Sequence, residues 1–301
     1  MRFYCFGDNN VDIYQNRQLA YPGGNAYNVA VYSCMRGAEA SYAGNVGDDR
    51  LGRLQLDSLK AMGVDISLSR VLPGWKTARA AVRLNDGDRE FLAADIDIYT
   101  KNPVTAADMA RCTAEKYDLA YASIWAAFTP EGWEAAKRLP VPLGFDFSDV
   151  WNEEDLERVC PVADYVFLSC SHITEDETVG TLKKAVSLGS RIAVGTRGMK
   201  GSFLWDGAEL LFQPAFSCPA VDTMGAGDSY ISAFLVSWLG EEAELGRLLR
   251  GFDGAAPAEQ DVTLCRRKAL ELSMAKAALF AASTCRRDGA FGFGIRWEEE
   301  L

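Results

Sequence analysis

The chain has 301 residues, 49% of them apolar, enough for the core of one large α/β domain or two ordinary ones. Its 42 acidic residues outnumber the 31 basic ones to leave a net charge of −11, and Lys and Arg form no cluster, which excludes a nucleic-acid surface. The longest apolar stretch, "ISAFLVSWLG", is about half of what spans a bilayer, and the eight cysteines form no CxxC pair, so the expectation is a cytoplasmic globular protein with reduced thiols and no membrane partner.

The opening "RFYCFG" is a short β-prone run, and "GGNAYNVAVYSCMRGA" reads as a glycine-rich entry into a helix closed by Gly37. A strand-like "ASYAGNVG" follows, then a helix through "LGRLQLDSLKAMGV". Residues 78–94 interrupt the alternation with two strand-like arms around "NDGD", where Asp86-Gly87 suits the positive φ of a hairpin turn. From residue 118, "DLAYAS", "VPLGFDFS", "ADYVFLS" and "RIAVGTRG" are apolar runs of strand length, with helical patterns such as "EGWEAAKRL" and "TLKKAVSLG" between several of them. Apolar strands separated by helices imply a parallel sheet covered on both faces. A second hairpin is expected in "GSFLWDGAELLFQ", with Asp206-Gly207 at its turn. A helix carrying Ile231, Phe234, Leu235 and Trp238 then runs to Gly240, an acidic surface excursion covers 241–262, and "CRRKALELSMAKAALFAAST" restores a long helix.

The helix before Gly240 is entered through "DTMGAGDSY". Unbonded N–H groups near Gly225, Ala226 and Gly227 would face the space before it, where the helix dipole favours negative charge and glycine lets a ligand approach. Asp228 then has two readings: an N-cap of its own helix, or a carboxylate that takes a proton from an attacking hydroxyl while the amides hold a phosphoryl group.

"DTMGAGDSY" resembles the second signature of the PfkB (ribokinase-like) carbohydrate kinases, and "GGNAYNVAV" at 23–31 resembles the first. The resemblance extends through "FGDNNVDIY", "VGDDRLG", "AMGVDIS" and "VGTRGMKGS" and covers nearly all of the chain outside 241–262. It implies one ribokinase-like domain over 1–301: a three-layer α/β sandwich with a mostly parallel central sheet and a small β-lid from about 10–20 and 78–98. The implied activity is ATP-dependent phosphorylation of a sugar hydroxyl. "GDNNVDIY", "GVDIS", "IWA" and "FDFSD" point further to the branch of the family that phosphorylates fructoselysine at its terminal hydroxyl. The alternatives are a fructokinase, a glucoselysine or nucleoside kinase, and, from another class, a non-catalytic sugar or nucleotide sensor.

Carried over position by position, the resemblance implies that Asp228 is the catalytic base and that the amides of Gly225, Ala226 and Gly227 form the anion hole. Asp12, Gly24 and Asn28 fall on the sugar side; alone, Asp12 reads as an exposed turn acid and Asn28 as a helix-surface amide. "GTRGMKGS" is not a P-loop, and the resemblance puts Thr196, Gly198 and Gly201 near ATP. Where the family carries Asn-x-x-Glu this chain has "HITE", so Glu175 is the expected organiser of Mg2+, while His172, the sole histidine, is given no catalytic part. A monovalent cation such as K+ near Asp222 and the 288–292 loop, and a homodimer through the lid, complete the expectations. The secondary ammonium of fructoselysine would need a paired charge, for which Asp146, Asp149, Glu90 and Asp95 are candidates, with Trp125 or Trp151 along the lysine arm.

Overall fold

The structure, a computed structural model, describes residues 1–85, 88–114, 116–250 and 258–297. The chain runs β1 (Arg2–Phe6), β2 (Asn10–Tyr14), β3 (Leu19–Gly23), α1 (Asn25–Met35), β4 (Glu39–Ala43), β5 (Asn45–Gly47) and α2 (Arg50–Ala61). Next come β6 (Arg70–Leu72), β7 (Arg79–Asn85), β8 (Asp88–Asp95), α3 (Asp97–Thr100), α4 (Ala106–Ala114), β9 (Leu119–Ser123), α5 (Pro130–Ala136) and β10 (Leu143–Asp146). The remainder is α6 (Glu153–Val159), β11 (Tyr165–Ser169), α7 (Glu175–Leu188), β12 (Ile192–Thr196), β13 (Ser202–Trp205), β14 (Leu210–Gln213), α8 (Ala226–Arg250), α9 (Glu259–Thr284) and β15 (Ile295–Arg296).

The main sheet has the order β14-β13-β12-β11-β10-β9-β1-β4 and is parallel from β12 to β4, with β13 and β14 added antiparallel. Alternation along each strand divides the core in two, since successive side chains leave a strand on opposite faces. Phe3, Cys5, Leu119, Tyr121, Tyr165 and Phe167 join one cluster with α1, α8 and α9. Tyr4, Phe6, Ala120, Ala122, Val166 and Leu168 join another with α4, α5, α6 and α7. The result is the three-layer α/β architecture that the apolar strands lead one to expect.

Helix starts follow from local chemistry. Thr174 caps α7 and Glu177 bonds back to it, and Asn152 with Asp155 does the same for α6. Thr129 caps α5, whose first residue is Pro130. Gly37, at φ 90°, ends the turn after α1 in a left-handed conformation.

A second sheet, ordered β15-β3-β2-β7-β8, lies apart from the first. Its β2 and β3 follow directly from β1, so the end of the main sheet and the start of the second are joined by only three residues, 7–9. The expected hairpin over 78–94 is present as β7 and β8, while its turn at Asp86-Gly87 lies outside the described residues. Two-residue β15 adds an edge that no sequence pattern announced.

Three expectations are corrected. "ASYAGNVG" is two strands, because β4 pairs with β1 whereas β5 pairs with β6 in a separate ribbon. Gly240 does not end its helix: α8 continues to Arg250, since the following Glu, Ala and Leu residues outweigh the ~1 kcal/mol that one interior glycine costs. The excursion over 241–262 is therefore helix at both ends, with α9 beginning at Glu259 and 251–257 outside the described residues. All eight cysteines are free, and among the described residues no helix is long and apolar enough to cross a membrane.

Candidate active site

The C-terminal ends of the parallel strands, where ligands of such sheets bind, converge with the N-termini of α1 and α8. β1 leads into Asp8, which is 4% exposed. Its carboxylate accepts from the Asn25 N–H (2.6 Å), the Ala26 N–H (3.4 Å) and the Ser123 hydroxyl of β9 (2.7 Å). Asp8 thus caps α1 from another element, because the residue at the helix's own N-cap, Gly24, has no side chain. Burial raises the Asp8 carboxyl above the usual range, and these hydrogen bonds pull it back. Gly24 is required on steric grounds: its φ is 114° and a Cβ would lie 2.5 Å from Asn9 Cα.

Asn25 and Asn28 are three residues apart, so both amides leave α1 on one face. That face meets the start of α8. Asn28 Nδ2 donates to Asp228 Oδ2 (2.7 Å) and Asn25 Nδ2 to Asp228 Oδ1 (3.1 Å). Ser232, one turn into α8, fixes the approach of the two helices through the Val29 carbonyl (3.2 Å). Asn28 is buried and is not a surface amide; its Oδ1 is buried with no hydrogen-bond partner.

α8 begins at Ala226, which corrects the capping alternative for Asp228. Asp228 is the third helical residue, and its carboxylate is tied across to α1. Gly225 turns the chain into the helix with φ 74°, where a Cβ would fall 2.6 Å from the Tyr32 oxygen and 2.9 Å from Ala290 Cβ. The Ala226 N–H is already donated to the Thr223 carbonyl (3.2 Å), inside the turn. A Cβ on Gly227 would meet nothing within 4 Å, which leaves the space beside that turn open.

Asp12 lies in β2 and is buried, not an exposed turn acid. It accepts from Asn10 Nδ2 (2.7 Å) and crowds Gly23, whose hypothetical Cβ would stand 2.7 Å from Asp12 Oδ2. Asp12 and Gly24 therefore sit at the junction that precedes Asn25 and Asn28. Asp222, fully buried, accepts from the Tyr14 hydroxyl (2.7 Å), Met224 N–H (2.9 Å) and Gly289 N–H (3.0 Å), tying together β2, the approach to α8 and the 285–294 loop.

On the β12 side, Thr196 ends the strand, and Gly198 (φ 56°) and Gly201 (φ 91°) bracket a single 3-10 turn. Arg197, just before that turn, is buried; its guanidinium reaches the Ile173 carbonyl (3.2 Å) and Glu175 (3.7 Å). Glu175 starts α7 and its side chain is 64% exposed. Its oxygens suit a hard cation held through water, and among the described residues no three acidic, His or Cys side chains gather into a ready-made cage. That donor set fits Mg2+, which keeps most of its waters and takes one or two carboxylates beside substrate phosphates. His172 is exposed and packs against Trp151, ring centroids 6.2 Å apart.

Sequence reasoning missed Asp8, Asn25, Tyr121 and Ser123, and held Asp146 for a different task. Asp146 ends β10, accepts from Asn25 Nδ2 (2.5 Å) and Ser148 N–H (3.0 Å), and is pushed up to about 6, chiefly by burial. Of the other acids considered for an ammonium, Asp149 is exposed, Glu90 pairs with Arg83 (3.3 Å) and Asp95 with Arg79 (3.6 Å). The one signal available for Asn25 was its place three residues before Asn28 in the first glycine-rich segment.

Comparison with known proteins bears on the whole chain. The family description "pfkB family carbohydrate kinase" matches residues 1–289. The chain is similar to the fructosamine kinase of Bacillus subtilis strain 168, with 32% identity over 100% of this chain and 96% of the relative. It is also similar to the fructoselysine 6-kinase of Escherichia coli strain K12, with 38% identity over 77% of this chain and 87% of the relative. Among solved structures, a fructokinase with bound ATP from Xylella fastidiosa superposes with TM-score 0.74 at 19% identity, covering 96% of this chain and 94% of that one, which bears on the fold.

Proposed function

The chain belongs to the pfkB family of carbohydrate kinases and is a phosphotransferase with an alcohol group as acceptor; from that premise we propose that it phosphorylates the 6-hydroxyl of fructoselysine with ATP. The substrate reading is supported by similarity to a fructosamine kinase and a fructoselysine 6-kinase along most of their lengths. The observation that carries the mechanism is the Asp228 carboxylate held by two amides in the first turn of α8.

Asp228 accepts the proton of the sugar hydroxyl as the oxygen attacks phosphorus; a carboxylate already ionised at neutral pH suffices, since the proton leaves late. Asn28 donates to one of its carboxylate oxygens. The Gly225 and Gly227 amides and the positive end of the α8 dipole offset charge on the transferring phosphoryl group. Asp12, Gly24 and the unpaired Asn28 oxygen line the sugar side, where a buried acceptor awaits a hydroxyl. Thr196, Gly198 and Gly201 border the nucleotide. Magnesium, when bound near Glu175, supplies charge neutralisation to the phosphates. With three donors already on Asp222, a monovalent cation beside the 288–292 loop would be held by backbone carbonyls; activation by K+ over Na+ reads that site.

The second sheet acts in this reading as a lid over the sugar, excluding water from the transferred group. Phe91 and Leu92 on β8 are 57% and 38% exposed, an apolar edge suited to a second copy of the chain.

Initial rates with fructoselysine, glucoselysine, fructose, ribose and adenosine, with and without Asp228→Asn, test the proposal. Fructoselysine should have the highest kcat/KM, and Asp228→Asn should lower kcat by about 10²–10⁴. A preference for fructose overturns the acceptor; full activity of the variant overturns the base.

A further inference from the structure

We propose that Asn25 is a positioning residue for phosphoryl transfer, its amide orienting Asp228 while holding a second carboxylate, Asp146, beside it. The inference rests on Asp228 as the base and adds a residue with no part in that reading of the sequence.

Both amide N–H groups of Asn25 and its oxygen are engaged. One N–H goes to Asp228 Oδ1 (3.1 Å), the other to Asp146 Oδ2 (2.5 Å), and Oδ1 accepts from the Tyr121 hydroxyl (2.8 Å). Two carboxylates on one side and a phenol on the other define which atom is nitrogen, since a flipped amide would turn its oxygen toward two acceptors. The backbone is equally fixed, because the Asn25 N–H is donated to Asp8 (2.6 Å). Tyr121 is wholly buried, and burial first, then Asp146 and Asp228, holds its hydroxyl well above the ordinary range, so it remains a donor at every working pH.

The acid pair explains why an amide is needed. Oxygens of Asp146 and Asp228 lie on the same nitrogen and can be no farther apart than the sum of its two hydrogen-bond lengths. Carboxylates that close together drive one of the pair to hold a proton, which would silence a base. An N–H given to each favours both ionised forms. The groups bonded to Asn25 are Asp8 just after β1, Tyr121 from β9, Asp146 from β10 and Asp228 from α8, and none of them is a cation. Asn25 is thus the donor shared by the two acids, and losing it removes the contact on Asp228 Oδ1, leaves Asn28 on Oδ2 and makes proton uptake by the pair easier.

The test uses the full chain with ATP and fructoselysine. Asn25→Ala should lower kcat on the order of 100-fold, the scale of a reacting group displaced by about 1 Å. KM for ATP should stay within about twofold, and the acidic limb of kcat should move up by about one pH unit, neither of which a purely structural loss would produce. Tyr121→Phe, which deletes only the hydroxyl that orients the amide, should move kcat and the acidic limb in the same direction by about five- to tenfold in rate, and decides the matter if Asn25→Ala does not fold. Folded Asn25→Ala with kcat within about threefold of wild type and an unshifted pH profile overturns the inference. Asp228→Asn run in parallel separates the failures. If it is inactive while Asn25→Ala is unaffected, only the role of Asn25 falls; if it is active, the base assignment falls first.

Discussion

Asn28→Asp sets a second carboxylate against the proposed base. In the wild-type chain the Asn28 amide meets Asp228 Oδ2 across 2.7 Å, at a position only 3% exposed. Two unit charges 2.7 Å apart repel by roughly 6 kcal/mol at an effective dielectric of about 20. That corresponds to about four pK units, and side-chain relaxation reduces it toward the roughly three units that split facing carboxylates in aspartic proteases. Relative to ordinary carboxylates, such a pair would therefore share one proton up to about pH 7. The sharing pair cannot accept the hydroxyl proton, so kcat of the variant should fall about tenfold for each pH unit below that midpoint and level off above it. The assay is kcat for fructoselysine phosphorylation at saturating ATP from pH 5.5 to 9, with Tm recorded at each pH to exclude unfolding. A variant whose kcat profile runs parallel to wild type, at any absolute level, refutes both the contact and the role of Asp228.

The remaining predictions concern stability and assembly. Asp146 is pushed up to about 6 and Asp8 in the same direction, so the folded chain binds protons more tightly than the unfolded one between about pH 4 and 6. Stability should then rise as pH falls through 6, with Asp146 contributing about 1 kcal/mol by pH 5; a urea midpoint that is flat or falls between pH 7.5 and 5 contradicts this. Gly225→Ala forces a left-handed residue into contact with Tyr32 and Ala290 and should cost at least about 2 kcal/mol, seen as a lowered Tm. Gly227→Ala, whose Cβ meets nothing within 4 Å, should leave Tm unchanged or raised while lowering kcat/KM for ATP; equal Tm losses at the two glycines would remove the distinction. Phe91→Asp should convert a dimer to a monomer in light scattering, and a monomeric wild type would dispose of the lid interface.

Much of the architecture was written locally. Apolar runs such as "LAYAS" and "YVFLS" are strands because both of their faces are covered, and Thr174 with Glu177 starts α7 by a bond between near neighbours. Gly240 misled because a glycine's helix penalty is local whereas the stability of α8 comes from its packed length against α1 and α9. The split of "ASYAGNVG" into two sheets was equally unreadable, since pairing partners are chosen by position in space.

The chain's own pattern determined the three-layer α/β order and the glycine turn before α8, because periodicity and turn geometry are properties of neighbours along the backbone; Asp228, Asn28 and Asp12 were singled out through the resemblance of their segments to the kinase signatures. Only the tertiary structure decided that Asp228 is no cap, that Asp8 caps α1 in place of Gly24, and that Asn25 joins Asp146, Tyr121 and Asp228. Those bonds span 121, 96 and 203 residues, and no local rule reaches that far. They form because folding a parallel sheet brings the ends of β1, β9 and β10 and the starts of α1 and α8 to one place, where buried polar groups must find one another.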